Sequence, residues 1–242
     1  MRLIFPSPGR DLSADEHELA AELAGIYAYP GGICVRANMI VSVDGAISVA
    51  GRSGGLSGAA DRLLFQVLRG LADVIVVGAG TARAEHYGPA GRSKWVERVP
   101  PIAVVTQGLS LDPDSSLIRD ANPKTIVLTT ARASQDAVAK VSETADVVIA
   151  GQDSVTVAAI LAELSGRGYR KILVEGGPRL LGQFAAADEL HELCVTTSPL
   201  LEGGHSTGRM LAAAGEERTT KLTLKSVIED EGFLLCRYSK VQ

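Results

Sequence analysis

Short runs of valine and isoleucine recur along the chain, each bounded by glycine or polar residues. They lie at 33–43, 73–80, 101–107, 124–130, 146–151 and 171–177. Near-continuous apolar runs of this length predict strands buried on both faces. Between them the apolar positions change period. Over 59–71, Leu64, Val67, Leu68 and Leu71 fall on one side of a helix, and 134–143, 156–168 and 178–188 behave likewise. Strands alternating with helices predict a mostly parallel central sheet flanked by helices, an α/β fold with right-handed crossovers. The C-terminal part reads differently. A strand is predicted over 188–201, followed by alternation on both sides of the turn Glu229-Asp230-Glu231-Gly232, which predicts an antiparallel β-hairpin over 220–241. Residues 1–30 are polar and helix-prone, with Ser13 as N-cap and Glu16 three residues on, as in a capping box.

Composition narrows this picture. A chain of 242 residues with 46% hydrophobic and 21% charged residues predicts a well-cored single domain, 1–242, with 1–30 as an N-terminal helical extension. A net charge of -4 without a basic stripe argues against nucleic-acid binding. The three cysteines, Cys34, Cys194 and Cys236, sit apart in apolar runs and read as buried hydrophobes. His17, His86, His191 and His205 show no ligand spacing, so no metal site is expected. No run reaches the ~18 apolar residues of a membrane span, and a cytoplasmic setting is the expectation. The longest irregular stretches, 44–58 and 81–100, are the loops where function is expected.

In an open α/β sheet ligands bind beyond the carboxyl ends of the strands. One strand ends in Gly78-Ala79-Gly80-Thr81, a dinucleotide-like turn in which Arg83 stands where a third glycine would be. Another ends in Glu175-Gly176-Gly177-Pro178, with proline suited to a first helical turn and glycines leaving room for a diphosphate. Each is equally readable as a tight turn that binds nothing; two in one sheet point to a ligand. Asp44-Gly45 reads as an ordinary turn. Arg62 and Arg69, seven apart, share a helix face, and Arg92 sits in a loop.

Four stretches occur in order: "NMIVSVDGAIS", "DRLLFQVLRGLADVIVVGAGTARAE", "ILVEGGPRLLGQF" and, from Asp188, "DELHELCVTTSPLLEGG". Together they resemble the pyrimidine reductases of riboflavin biosynthesis, over roughly 33–240. The resemblance implies a dihydrofolate-reductase-like fold and NADPH-dependent reduction of 5-amino-6-(5-phosphoribosylamino)uracil at C1′ of the opened ribose. It also implies a homodimer, with a small phosphorylated pyrimidine as the substrate and no nucleic-acid or membrane partner. Matched by position, it implies cofactor contacts at Val41, Ser42, Gly78, Gly80, Thr81, Glu85, Gln107, Gly176, Gly177, Pro178, Arg179, Leu180, Leu181 and Gly182. Substrate contacts fall on Asn38, Ser53, Arg69, Arg92 and Glu175, with Arg69 and Arg92 on the ribose phosphate and Glu175 on the pyrimidine. No catalytic side chain is assigned; Asp44, which would shape its loop, and Glu175 are the nearest to one. This chain departs from the family pattern at Asn38, where lysine is usual, at Glu85-His86 in place of an aspartate pair, at Tyr87 for a proline, and at Gly55 for a tryptophan. The deaminase signatures H-x-E and P-C-x-x-C are not found. A pterin or dihydrofolate reductase of the same fold, or a non-catalytic NADPH-binding protein, are the alternatives. Thr106, Thr129, Thr130 and Arg132, following strands, are placed to meet a 2′-phosphate.

Overall fold

The computed structural model describes residues 1–91, 98–203, 208–212 and 219–241. The elements run β1 (Arg2–Phe5), β2 (Arg10–Asp11), α1 (Glu16–Ile26), β3 (Cys34–Ser42), α2 (Ala59–Leu71), β4 (Val74–Gly78) and α3 (Ala79–Ala84). Then come β5 (Ile102–Val105), α4 (Ser116–Arg119), β6 (Ile126–Thr129), α5 (Gln135–Ser142), β7 (Asp146–Ile149) and α6 (Val157–Gly166). The chain closes with β8 (Lys171–Val174), α7 (Pro178–Ala186), β9 (Glu192–Ser198), β10 (Leu222–Asp230) and β11 (Phe233–Lys240). Among the described residues the strands form one sheet in the order β2-β1-β10-β11-β9-β3-β8-β4-β5-β6-β7. From β9 through β7 every pairing is parallel, and β11, β10, β1 and β2 add antiparallel neighbours. The predicted α/β architecture and C-terminal hairpin are both present.

The continuous apolar runs have a direct cause. Successive strand side chains point to opposite faces, and in the middle of this sheet both faces are dry. Ile75 and Leu173 join Leu64, Leu68 and Leu23 under α1 and α2. Val74, Val76 and Val174 join Ile160, Leu181 and Phe184 under α6 and α7. The hairpin turns on Glu231 and Gly232, both at positive φ (48° and 84°), as a two-residue turn of this twist requires. The ring of Phe233, just after it, lies over Gly58 at the start of α2, where a Cβ would come within 2.6 Å of it.

Three expectations fail. Residues 1–30 are not simply helical: β1 pairs with β10 and β2 with β1, so the segment extends the sheet. The cap of α1 is Asp15, which accepts from the His17 and Glu18 amides at 2.9 and 3.0 Å. Ser13 instead accepts from the Asp15 amide and donates to the Glu18 carboxylate. β7 is as apolar as its neighbours but forms the sheet's edge, leaving Ile149 exposed.

One carboxylate ties α1 to the sheet. Glu192 on β9 accepts from Arg36 (2.7 and 2.5 Å) and Arg237 (2.5 Å), and Arg36 is fully buried. The arginines in turn donate to the carbonyls of Ile26, Tyr27 and Ala28, which α1 leaves unpaired at its end. A second tie closes the carboxyl end of β3. Asp44 accepts from the Ser42 hydroxyl (2.5 Å) and the amides of Gly203 (3.0 Å) and Glu202 (3.2 Å). Those hydrogen bonds, Ser42's first, hold its carboxyl down to about 2.

Replacing Glu192 with alanine leaves two guanidinium groups without their anion and is expected to cost about 3–5 kcal/mol in denaturant unfolding. Asp44 contributes stability above its unfolded value of about 4 and loses it as pH falls toward 2. The stability difference between wild type and Asp44→Asn, measured by denaturation from pH 6 to 2, is therefore expected to shrink over that window.

Candidate active site

β8 and β4 are neighbours, so the two glycine turns that follow them meet at one end of the sheet. The Glu175 amide donates to the Val76 carbonyl (3.0 Å), and the Gly78 amide to the Gly176 carbonyl (2.9 Å). Gly176 has φ +96°, a conformation that favours glycine. A Cβ at Gly177 would stand 2.3 Å from the Thr81 hydroxyl. The bare face of Gly177 thus admits the first turn of α3 rather than leaving open room, which corrects the expectation from sequence. Open space does surround Gly80. α7 begins at Pro178, and the Leu181 amide bonds back to the Gly177 carbonyl at 3.0 Å. Only the Arg179 and Leu180 amides therefore remain for a ligand there.

A cleft of about 920 Å³ opens beside these turns, walled by α2 and the loops after β3 and α3. At its floor Glu175 is 1% exposed, and Arg69 of α2 meets it with two parallel hydrogen bonds, Nε and Nη2 each at 2.7 Å. The Tyr87 hydroxyl donates to the same carboxylate at 2.8 Å. The guanidinium lies 4.2 Å from the Phe65 ring centroid and 5.3 Å from that of Tyr87. Burial alone would weaken Arg69's hold on its proton, but the Glu175 charge and the hydrogen bonds outweigh it and push its pKa up. Burial, then the Glu175 charge, pushes the Tyr87 phenol well above its ordinary value.

Beside Glu175 stands Asn38, whose Oδ1 is buried and accepts no hydrogen bond. It is one of six such buried polar atoms among the described residues, and leaving one unpaired costs about 1–3 kcal/mol. Glu85 accepts from the Ser53 amide at 2.7 Å and so fastens the loop after β3 to the end of α3. Asp61, 8% exposed, accepts from the Ser57 hydroxyl at 2.6 Å.

Of the residues expected at the site, Asn38, Ser53, Arg69, Thr81, Glu85, Glu175, Gly176, Gly177 and Pro178 line this one cleft. Arg69 and Glu175 grip each other through two of the five guanidinium N–H groups, which leaves both on Nη1 and the second on Nη2. Arg92 lies outside the described residues. Val41, Ser42 and Asp44 sit at the end of β3, outside the lining, and Asp44 is committed to the loop. Leu180 and Leu181 point into the core and Gly182 is buried with them, while Arg179 is exposed. Arg83 turns away to Ser110. The side chain of Gln107 is exposed; its carbonyl accepts from Thr129 (3.3 Å) and Thr130 (2.7 Å). Arg132 pairs with Asp153. Thr129, Thr130 and Arg132 thus each have a partner within the protein, Arg132 in an exposed pair. Tyr87 and Asp61 were not singled out as site residues. Nothing in the sequence links Tyr87 to Glu175, 88 positions away, although Phe65 and Arg69 at i, i+4 do signal a shared helix face.

The model of the RibD C-terminal domain matches residues 34–233. A 2,5-diamino-6-ribosylamino-4(3H)-pyrimidinone 5′-phosphate reductase of Methanothermobacter thermautotrophicus is 26% identical over 181 residues, covering 74% of this chain and 83% of that one. A protein of the same name from Archaeoglobus fulgidus is 27% identical over 179 residues, covering 70% and 82%. Among solved structures, a pyrimidine reductase-like protein of Corynebacterium diphtheriae superposes with a TM-score of 0.81 at 25% identity, covering 91% of this chain and 98% of that one. RibD of Acinetobacter baumannii shares the fold, with a TM-score of 0.71 at 19% identity over 94% of this chain and 61% of that one. The chain belongs to the RibD C-terminal domain family, the pyrimidine reductases of riboflavin biosynthesis that its motifs resemble.

Proposed function

We propose that the protein reduces a 5-amino-6-(5-phosphoribosylamino)pyrimidine, the uracil or its 2-amino counterpart, with NADPH as the hydride donor. The observation that carries this reading is the fixed Arg69–Glu175 pair at the floor of a cleft bordered by two glycine-bearing strand ends. The reaction adds a hydride from the dihydronicotinamide to C1′ and a proton to the nitrogen of the ring-opened ribosylamine, leaving NADP+ and the ribitylamine. Thr81, the open side of Gly80 and the free amides opening α3 and α7 suit a diphosphate. Glu175, held by three donors, stays in place as an acceptor for ring N–H groups, and the N–H groups that Arg69 does not spend on it are donors in the same cleft. Ser53, held by Glu85, borders the same space. No metal enters this account; the chain's residues bind, orient and exclude water.

A second reading, reduction of dihydrofolate or another pterin with the same cofactor, is favoured by the neutral Asn38 and by Tyr87 in the cleft. The ratio of turnover on dihydrofolate to that on the phosphoribosylaminopyrimidines decides between the two. A homodimer is supported by the face of β9, β10 and β11 turned away from α1 and α2, where Leu234 is exposed and Val195, Leu224 and Tyr238 are only half-buried. Sedimentation equilibrium is expected to give twice the mass of the chain.

NADPH oxidation, followed by absorbance, is expected with at least one of the two pyrimidines and to be slower with NADH; no oxidation with either pyrimidine removes the reading. Gly177→Ala drives a Cβ into Thr81 and displaces the helix start. It is expected to raise KM for NADPH about tenfold or more, with KM for the pyrimidine little changed. Glu175→Gln, which leaves Arg69 without its anion, is expected to lower kcat/KM roughly 100-fold, equivalent to about 2.7 kcal/mol.

A further inference from the structure

The cleft is lined from β3 and the end of β8, and the two glycine turns lie at the ends of β8 and β4. A dinucleotide with its nicotinamide in the cleft and its diphosphate at those turns carries its adenosine onward, away from β3. There β5 pairs with β4 and β6 with β5, all parallel, so their carboxyl ends follow along the same edge about 5 Å apart. The backbone is bare on this path. Gly80, on the exposed side of α3, and Gly108, after β5, each have open space where a Cβ would stand.

Two arginines belong to the segments along this path, and they differ in what they meet. Arg132, after β6, gives Nε and Nη2 to Asp153 at 2.8 and 2.6 Å. Its charge is answered, and the carboxylate beside it would repel a phosphate. Arg83 lies three residues beyond Gly80, on the same side of α3. Its Nη1 donates to the carbonyl and the hydroxyl of Ser110 at 2.6 and 3.0 Å, which carries the guanidinium across to the segment leaving β5. Both partners are neutral, and among the described residues Arg83 meets no carboxylate. Nε and Nη2 have no partner among the described residues, so one edge of the planar fork is unused while the Ser110 loop holds the other. We propose that Arg83, steadied by Ser110, binds the 2′-phosphate of the adenosine and makes the protein select the phosphorylated dinucleotide over the plain one. This rests on the reading that a nicotinamide dinucleotide runs along these strand ends. Nε and Nη2 present two parallel N–H groups, the arrangement through which arginine takes two phosphate oxygens at once. The Ser110 contact fixes the side chain before the ligand arrives and so lowers the entropy lost on binding. Arg83 is exposed, so water and salt screen it, and the contact is worth roughly tenfold in affinity. The residue that breaks the glycine fingerprint of this turn thus supplies the cation that tells the two dinucleotides apart.

Calorimetric titration with NADP+ and NAD+, which differ by that phosphate alone, tests this without turnover. The wild type is expected to bind NADP+ about tenfold more tightly at low salt, with the gap narrowing as salt is added. Arg83→Gln is expected to weaken NADP+ about tenfold and to leave NAD+ unchanged. Arg83→Lys, which keeps the charge without the fork, is expected to retain part of the preference. Arg132→Gln is expected to alter neither affinity. Circular dichroism and thermal unfolding establish that the variants fold. Equal affinities in the wild type, no binding of either dinucleotide, or a preference lost in Arg132→Gln overturns the proposal. A preference that survives in Arg83→Gln, or an equal loss of both dinucleotides there, also overturns it and leaves Arg83 as a tether for the Ser110 loop. A protein that shows the Arg83-dependent preference yet oxidises no NADPH with either pyrimidine would refute the proposed reaction and leave the dinucleotide selection standing.

Discussion

An ion pair held out of water governs the active end of this molecule. Bringing Glu175 to 1% exposure is unfavourable unless its charge is answered in full, and three donors from two separate segments supply the answer. The price is geometric: Arg69 must arrive with its fork in the carboxylate plane, which fixes where α2 ends relative to β8, and Tyr87 must reach the same oxygen from beyond α3. The cleft is the space left between these obligations. Its floor is held in place because its charged groups satisfy one another.

The Glu192 knot has the same logic on the far side of β3. There a single carboxylate neutralises two arginines, and those arginines close the end of α1. The two clusters differ in where they stand. The knot lies away from the cleft, whereas Arg69 and Glu175 both line it.

Much of the fold was legible because it is local. Runs such as 73–80 and 171–177 are apolar at every position because both faces of the central strands are buried, and the hairpin declared itself through alternation around a glycine turn. Where the sheet ends, the same signal misleads: β7 has the composition of a central strand and, among the described residues, no neighbour on one side, since residue preference reports packing, not position in the order. β1 and β2 were missed because short edge strands carry little pattern of their own. The glycine turns marked the site correctly, but for a partly different reason, since the space at Gly177 belongs to Thr81. Motif positions led to Arg69 and Glu175 separately; that they are partners, with Tyr87 as the third, depends on tertiary approach across a separation no periodicity encodes.

The contact between Phe233 and Gly58 carries an evolutionary corollary. A side chain at 58 would come within 2.6 Å of the far end of the Phe233 ring, so the two coexist only if the ring swings aside or gives way to a smaller group. The pair should therefore drift together through descent: lineages that acquire a bulkier residue at the head of α2 need a smaller one at the hairpin tip. Covariation between these two distant positions would mark chains in which the C-terminal ribbon is seated on that helix as it is here.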